Sequence, residues 1–451
     1  MKLWCLTAGE LVAGYGAHEF DPVEALKACL ERLDSVNPTL NAIVTVDRNG
    51  AMQAAAEAAR RWRSGTPLSQ LDGVPFTVKD NLFVKGMRAT WGSRAYENFV
   101  PEQDDLSVAK LRSAGAIILG KSNTPEFALA GHTNNLLFGS TSNPWAPELS
   151  PGGSSGGAAS ALVAGIAPLA LGTDAGGSTR RPASHCGCIG LRTSLGAVPR
   201  RYGFPALADD LQTIGLLTRS IGDAKLMLEH VGAVTPRQTR GPAQLKIAAV
   251  CDIGGHPVDH EIRRAFAAFA DAVRTLGASV IEVEPPFDPD QSTALFMGLA
   301  APGVARVATT LGDAIGSLTD AIKALAKEGG GRSAEDYIRT MDAVRAFRWE
   351  FADFFAEWDF LILPTAAALP WPRSEAAPGA INGQTVGPRA SAIYTTFANI
   401  AGLPGLSVPF TTSANGLPIG MQIVGRIGSD HALLNLAEHL ALDARQPRFT
   451  E

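Results

Sequence analysis

The sequence predicts an α/β protein: a single large domain with a mixed, mostly parallel-type β-sheet covered by helices on both faces. Three observations carry that prediction. Short apolar runs of strand length alternate with longer amphipathic segments of helical period. Apolar residues fill 46% of the 451 positions and charged ones only 18%, which suits a large buried core and excludes a mainly disordered chain. No internal repeat and no long linker divides the chain, although its length alone would suit two or three ordinary domains.

Taken in order, Asp21-Pro22 supplies an N-cap and a first-turn proline for a helix to about residue 36. An alanine-rich helix follows over roughly 48–64. Residues 74–78 form a short apolar strand. Residues 107–113 are helical, Gly115 ends them, and 116–119 read as a buried strand. Residues 245–250 make another strand. The next helix shows its period in Ile262, Phe266, Phe269, Val273 and Leu276, with Gly277 as cap and a return strand at 279–283. Strands at 360–363, 406–410 and 419–424 complete the set, the last two joined by a turn at Asn415-Gly416. A helix at 430–442 closes the pattern.

Gly329-Gly330-Gly331 and the Pro-rich stretch 364–388 read as surface excursions from one domain, 1–451. Within it, 1–65 is an N-terminal helical part and 66–225 is the core that carries the motifs. Residues 285–390 have the least regular pattern and are expected to form an irregular cover over a substrate site.

Composition removes several function classes. Thirty-nine Lys and Arg against 44 Asp and Glu give a net charge of −5, so no nucleic-acid partner is expected through a general basic surface. Five cysteines, an odd number, argue against a disulfide scaffold. Cys186 and Cys188 adjoin His185, but no second cysteine pair accompanies them, and buried thiols are the expectation rather than a metal site. Glu10 interrupts any apolar run near the start, so no signal peptide is expected. The longest uncharged stretch, 149–173, begins as a Gly-Ser loop and is no membrane helix. The expected setting is the cytoplasm, with no membrane, metal or cofactor, and with a monomer or homodimer as the assembly.

Glycine accounts for 47 residues, and ten of them fall between Gly152 and Gly190. They form two Gly-Ser clusters, one at 152–157 and one at Gly176-Gly177-Ser178. Glycine permits positive φ and close approach of backbone to a ligand, and successive N–H groups make an anion-binding concavity. A serine set in such a turn is placed for acyl chemistry, with the oxyanion held by N–H groups. Three readings compete. A phosphate loop needs G-x-x-x-x-G-K-[ST], and no lysine follows either cluster. A nucleophile elbow fits Gly153-Ser154-Ser155-Gly156-Gly157, but Asn143-Pro144-Trp145 stands where a strand should lead in, and a late histidine is needed. The third is a serine hydrolase with a lysine base. Lys79 ends an apolar strand, where desolvation lowers an amine's pKa. The simpler alternative for it is a strand-end pair with Asp80.

At this point the sequence resembles the amidase signature family. GVPFTVKDN (73–81), PGGSSGG (151–157) and GTDAGGSTRRPASHCGCIGLRTS (172–194) match its motifs, as does the spacing from Ser154 to Ser178. GKSNTPEF, FGSTSNPW, DDLQTIGLLTRS, NIAGLPGLSVP and GLPIGMQIVG follow in family order through the whole chain. The resemblance implies the amidase signature fold and a Ser–cisSer–Lys triad. Ser178 would be the nucleophile, Ser154 the bridging serine on a cis peptide bond, and Lys79 the base. The N–H groups of Ala175, Gly176, Gly177 and Ser178 would form the oxyanion hole. Ser155, Asp174 and Arg180 would support the loop, with Arg180 pairing with Asp174. Arg181 stands where many members have a neutral residue. Its guanidinium either clamps a substrate carboxylate or forms a salt bridge beneath the loop. Malonamidase-like members share this double arginine. His132 and Trp91 are further candidates for the substrate pocket. His185 is expected to pack behind the loop. Leu216 departs from the proline usual in the motif, and the short N-terminus argues against the long membrane-anchored members.

The activity this implies is hydrolysis of small amides through an acyl-enzyme, with anilides, esters and carbamates (urethanes) open to the same chemistry. The alternative is a role within a complex, since the family includes the A-type component of the tRNA-dependent glutamine amidotransferase. Arg181 and the irregular middle region favour a stand-alone enzyme acting on a small molecule.

Overall fold

The structure is a computed structural model that describes residues 2–233 and 240–442. Thirteen strands occur among them: β1 (Ile43–Val46), β2 (Pro75–Lys79), β3 (Ile117–Ser122), β4 (Leu169–Asp174), β5 (Ile189–Arg192), β6 (Thr213–Thr218), β7 (Lys246–Ala249), β8 (Ser279–Glu282), β9 (Phe360–Pro364), β10 (Ala380–Ile381), β11 (Gln384–Thr385), β12 (Gly405–Thr412) and β13 (Pro418–Gly425). Strands β10 and β11 form a separate hairpin. The other eleven make one sheet in the order β1-β3-β2-β4-β6-β5-β12-β13-β9-β7-β8.

The sheet is mixed, as expected, but it is not mostly parallel. Four neighbouring pairs run parallel: β2–β3, β2–β4, β7–β8 and β7–β9. Six are antiparallel, and they fill the centre from β4 to β9 as well as one edge. An apolar run buried on both faces reads the same whichever way its neighbours point. Within this sheet the β12–β13 hairpin, turned at Asn415-Gly416, declares its direction locally: Gly416 takes a φ of +76° and its N–H donates to the Ser413 carbonyl.

Alternation within strands sorts the two faces of the sheet. Ala170 of β4 and Leu217 of β6 pack with Ala158, Leu162, Ala183 and Cys186 from the helices Gly156–Val163 and Arg180–Cys186. Their neighbours Leu169, Leu171 and Leu216 join the main core with Ile221, Met227 and Leu228 of the helix Ile221–Val231. Helices therefore cover both faces. The helix that starts at Asp21-Pro22 is longer than its sequence pattern, running Pro22–Leu40 through Pro38 and ending at Asn41 with φ +49°. Asp21 caps it in a box with Glu24.

The expected irregular cover, 285–390, holds long helices instead: Pro289–Thr309, Asp320–Gly330 and Ala334–Glu357. Their helical signal is weakened by residues chosen for close contact. A Cβ on Gly303 would sit 1.8 Å from the Leu207 carbonyl oxygen, and one on Gly329 would sit 1.9 Å from that of Ala301. Among the described residues, no helix is long and apolar enough to cross a membrane.

Candidate active site

Strands β2 and β4 are parallel neighbours, so their C-terminal ends open on the same edge. Both ends carry chemistry. All five residues of β2 are buried, and Lys79 at its end is wholly enclosed. Its Nζ donates to Ser154 Oγ at 2.8 Å and to Thr173 Oγ1 at 3.1 Å. Burial pushes the Lys79 amine down to about 7; the charge of Asp174 opposes that and Arg200 adds to it. Asp80 is not its partner. That carboxylate faces Lys121 at 3.4 Å and accepts from the N–H and hydroxyl of Thr90. Thr173, which the sequence did not single out, also accepts from Asn81 Nδ2 at 2.9 Å and so fixes the lysine's second contact.

Ser154 lies on the loop that feeds the helix Gly156–Val163, and the Gly153–Ser154 peptide bond is cis. Glycine is required around it. Gly152 takes a φ of +82°, and a Cβ on Gly153 would lie 2.6 Å from the His132 carbonyl oxygen. Thr133 Oγ1 donates to the Gly152 carbonyl and accepts from the Gly156 N–H, closing the loop. Ser155 joins this loop to the next one: its N–H donates to the Ser178 carbonyl at 3.0 Å, and its Oγ donates to the Thr173 carbonyl at 3.3 Å.

The second loop, 175–178, leaves β4 at Asp174 and leads to the helix Arg180–Cys186. Asp174 organises it. Its carboxylate accepts from the N–H groups of Gly177 at 2.8 Å and Thr179 at 3.0 Å, from Arg180 Nε and Nη2, and from Asn399 Nδ2. Burial raises its pKa, but Arg180, Arg192 and the Asn399 amide together outweigh that and hold the group far below the usual carboxylate range. Arg180, fully buried, spends its other donors on the Thr395 carbonyl, Gln422 Oε1 and Asn399 Oδ1.

Gly177, expected as an oxyanion donor, is not available for that role. The Gly177 N–H is already committed to Asp174, which leaves Ala175, Gly176 and Ser178; among the described residues their N–H groups have no protein acceptor. Gly177 is glycine for another reason: its φ is +102°, and a Cβ there would lie 2.2 Å from Thr395 Oγ1. The Ser178 side chain makes no hydrogen bond with the described residues, so the structure joins Lys79 to Ser154 but leaves the Ser154–Ser178 contact unmade.

Arg181 is buried, yet among the described residues it forms no ion pair or side-chain hydrogen bond, and its Nε has no acceptor. The salt bridge beneath the loop belongs to Arg180 instead. Burial pushes Arg181 down to about 9, and the neighbouring cation Arg389 adds to that. His132 is half-buried beside the cis peptide, its Nδ1 unpartnered, with burial lowering its pKa. Trp91 is displaced from its expected role. Its ring stacks on Phe204 with centroids 4.6 Å apart and packs on Phe127 at 4.7 Å, so neighbouring rings occupy its faces. His185 packs behind the loop, edge-on to Trp371 and 3.3 Å from the Ala368 carbonyl oxygen; burial pushes it down to about 4. Cys186 and Cys188 are buried thiols whose pKa burial raises. Among the described residues, the group that could hold a metal is His256, Asp288 and Asp290, of which both carboxylates are exposed.

Arg389, Asn399 and Gln422 complete the site; the last two lie in NIAGLPGLSVP and GLPIGMQIVG, motifs for which the sequence offered no role. Gln422 left a trace: a lone amide in the buried strand PIGMQIVG demands a buried partner, here Arg180 and the Tyr394 carbonyl.

A family model described as "Amidase" matches residues 24–434. The A-type component of the glutamyl-tRNA(Gln) amidotransferase of Geobacter sp. (strain M21) is 33% identical over 476 residues, covering 97% of this chain and 97% of that protein. The solved structure of a bacterial aryl acylamidase of the amidase signature enzymes is similar at a TM-score of 0.87 and 26% identity, covering 98% of this chain and 99% of that one. The structure of the corresponding glutamyl-tRNA(Gln) amidotransferase component from Thermotoga maritima is similar at 0.76 and 28% identity, covering 97% and 94%.

Proposed function

The chain belongs to the amidase family, and from that premise we propose that it is a serine hydrolase cleaving the C–N bond of small amides through an acyl-enzyme. The supporting observation is the enclosed Lys79 amine, brought to about 7 by burial and set 2.8 Å from Ser154 Oγ. An amine that is half neutral near pH 7 can act as a general base.

The steps follow from the positions. Neutral Lys79 takes the proton of Ser154 as Ser154 takes that of Ser178. The freed Ser178 Oγ pair forms the C–O bond, and the carbonyl π pair moves onto oxygen. The N–H groups of Ala175, Gly176 and Ser178 hold that oxyanion; removal of one such donor costs on the order of 10²–10³ in rate. On collapse the C–N bond breaks, its pair takes the proton returned through Ser154, and the amine leaves. Water, deprotonated by the same relay, then releases the acid. The Ser154–Ser178 contact closes on substrate binding, as catalytic hydrogen bonds commonly do. Anilides, esters and carbamates would enter by the same acyl-enzyme.

A second reading is favoured by the 33% identity to an amidotransferase component: a glutamine-using part of a tRNA-dependent complex. The likeness in shape to an aryl acylamidase, greater than that to the amidotransferase component, supports an enzyme acting outside that complex. The assembly proposed with it is a monomer or homodimer acting on a small molecule. The test is the purified single chain on a panel of amides, anilides, esters and carbamates. Turnover without a partner supports the hydrolase. A chain inert alone but active on glutamine with partner proteins supports the role within a complex.

A further inference from the structure

The loop after β4 is held by its carbonyl groups. The Asp174 carbonyl accepts from Asn399 Nδ2 at 3.0 Å, that of Gly176 from Thr395 Oγ1 at 3.1 Å, that of Gly177 from the Arg181 N–H at 2.9 Å, and that of Ser178 from the Ser155 N–H at 3.0 Å. Carbonyl and N–H point opposite ways across a trans peptide. Tying the Asp174 carbonyl therefore aims the Ala175 N–H, and tying the Gly177 carbonyl aims the Ser178 N–H. The third oxyanion donor has no such tie. The Gly176 N–H shares its peptide with the Ala175 carbonyl, which no donor among the described residues reaches. Its direction is set by the peptide planes on either side.

Thr395 and Asn399 hold those two planes. Thr395 precedes the short helix Thr396–Ile400 as its N-cap, and Asn399 lies within it. Four residues apart, the two share a face. Four residues of helix advance about 6 Å, close to the reach of the two residues of strand-like chain between the carbonyls they hold. Thr395 is itself fixed, because Arg180 Nη1 donates to its carbonyl at 3.1 Å. Its hydroxyl also lies 3.1 Å from the Ala392 carbonyl oxygen, but that oxygen already accepts from the Thr395 N–H. For the Gly176 carbonyl the hydroxyl is the one donor among the described residues. At the other end of the same peptide, the Gly177 N–H goes to Asp174. Both joints of this plane are glycines, Gly176 and Gly177, which turn with little steric resistance. Without Thr395 the plane would be tied at one end only, and the Gly176 N–H beside it would lose its aim.

We propose that Thr395 is a positioning residue of the oxyanion hole: its hydroxyl, by holding the Gly176 carbonyl, keeps the Gly176 N–H directed at the oxygen that becomes charged. This rests on the reading of Ser178 as nucleophile. Thr395 stands outside the proton relay, since its hydrogen bonds go to Gly176, Ala392 and Arg180. A misaimed donor weakens the hold on an oxyanion more than on a neutral carbonyl, so its loss falls on turnover rather than on binding.

The test compares Thr395→Val and Thr395→Ala, which lack the hydroxyl, with Thr395→Ser, which keeps it. The substrate is the amide of the panel above that is turned over fastest. The first two variants should lower kcat by about tenfold or more, short of the loss on the order of 10²–10³ that follows outright removal of a donor, with KM changed by less than about threefold. Thr395→Ser should restore most of the rate, in proteins of unchanged circular dichroism. Affinity for a trifluoromethyl ketone with the same acyl part, to which Ser178 Oγ adds to give a bound oxyanion, should fall by the same factor as kcat/KM. Affinity for the amide itself, measured in Ser178→Ala protein with and without Thr395→Val, should stay within about threefold. The acid limb of the pH profile should not move, because Lys79 is untouched. Full activity of Thr395→Val in an enzyme that Ser178→Ala silences, an unchanged ketone affinity, or a serine variant as slow as the valine one would overturn the role of Thr395 alone. Turnover that persists in Ser178→Ala would overturn the nucleophile and this role with it.

Discussion

Lys79 Nζ lies 2.8 Å from Ser154 Oγ, while the carboxylate of the very next residue, Asp80, faces Lys121 on the neighbouring strand. The lysine at the end of β2 is thereby separated from the nearest negative charge in sequence. With Asp80 turned away, burial dominates its titration and brings it to about 7.

The first prediction is the pH profile. The active form is neutral Lys79, and its pKa is lowered, so activity is present above about pH 7 and lost as pH falls through it. Plotted for the free enzyme, kcat/KM should fall about tenfold per pH unit below that point. Lys79→Ala should lower kcat by about 10²–10⁴ and abolish this acid limb. A limb that survives in the variant assigns the titration to another group.

Asp174→Asn should act twice. It leaves Arg180 buried without its carboxylate, which typically costs about 3–5 kcal/mol, read from denaturant unfolding. It also removes the charge that holds Lys79 up, so the acid limb should move to lower pH. Stability unchanged to within about 1 kcal/mol would contradict the account of this pair.

Much of this site was legible in the sequence, and what was not has a common cause. Lys79, Ser154 and Ser178 stood out because glycine clusters and an apolar strand end are local features. Arg389, Asn399 and Gln422 reach Arg180, Asp174 and Gly176 from far along the chain, and no local pattern records such a meeting. The long helices at 289–357 were hidden because Gly298, Gly303 and Gly329 serve close packing at the expense of helical propensity. Strand direction leaves no local mark because pairing is non-local, whereas the Asn415-Gly416 turn makes its hairpin legible.

Glycine substitutions divide by surroundings. Gly177→Ala meets Thr395 Oγ1 at 2.2 Å with φ at +102°, and should lose both stability and most activity. Gly86→Ala, at φ +76° with nothing within 4 Å, carries backbone strain alone and should cost about 1 kcal/mol with turnover retained. Thermal unfolding and initial rates of the pair check this; equal behaviour would remove the close-approach argument at Gly177.

The central claim is that Ser178 carries the acyl group. Mass spectrometry of protein quenched during turnover of an activated ester, followed by peptide mapping, reads it directly. The account predicts an acyl adduct on Ser178 that is absent in Ser178→Ala, which is also inactive. An adduct on Ser154, Ser155 or another residue, or undiminished hydrolysis by Ser178→Ala, would contradict it.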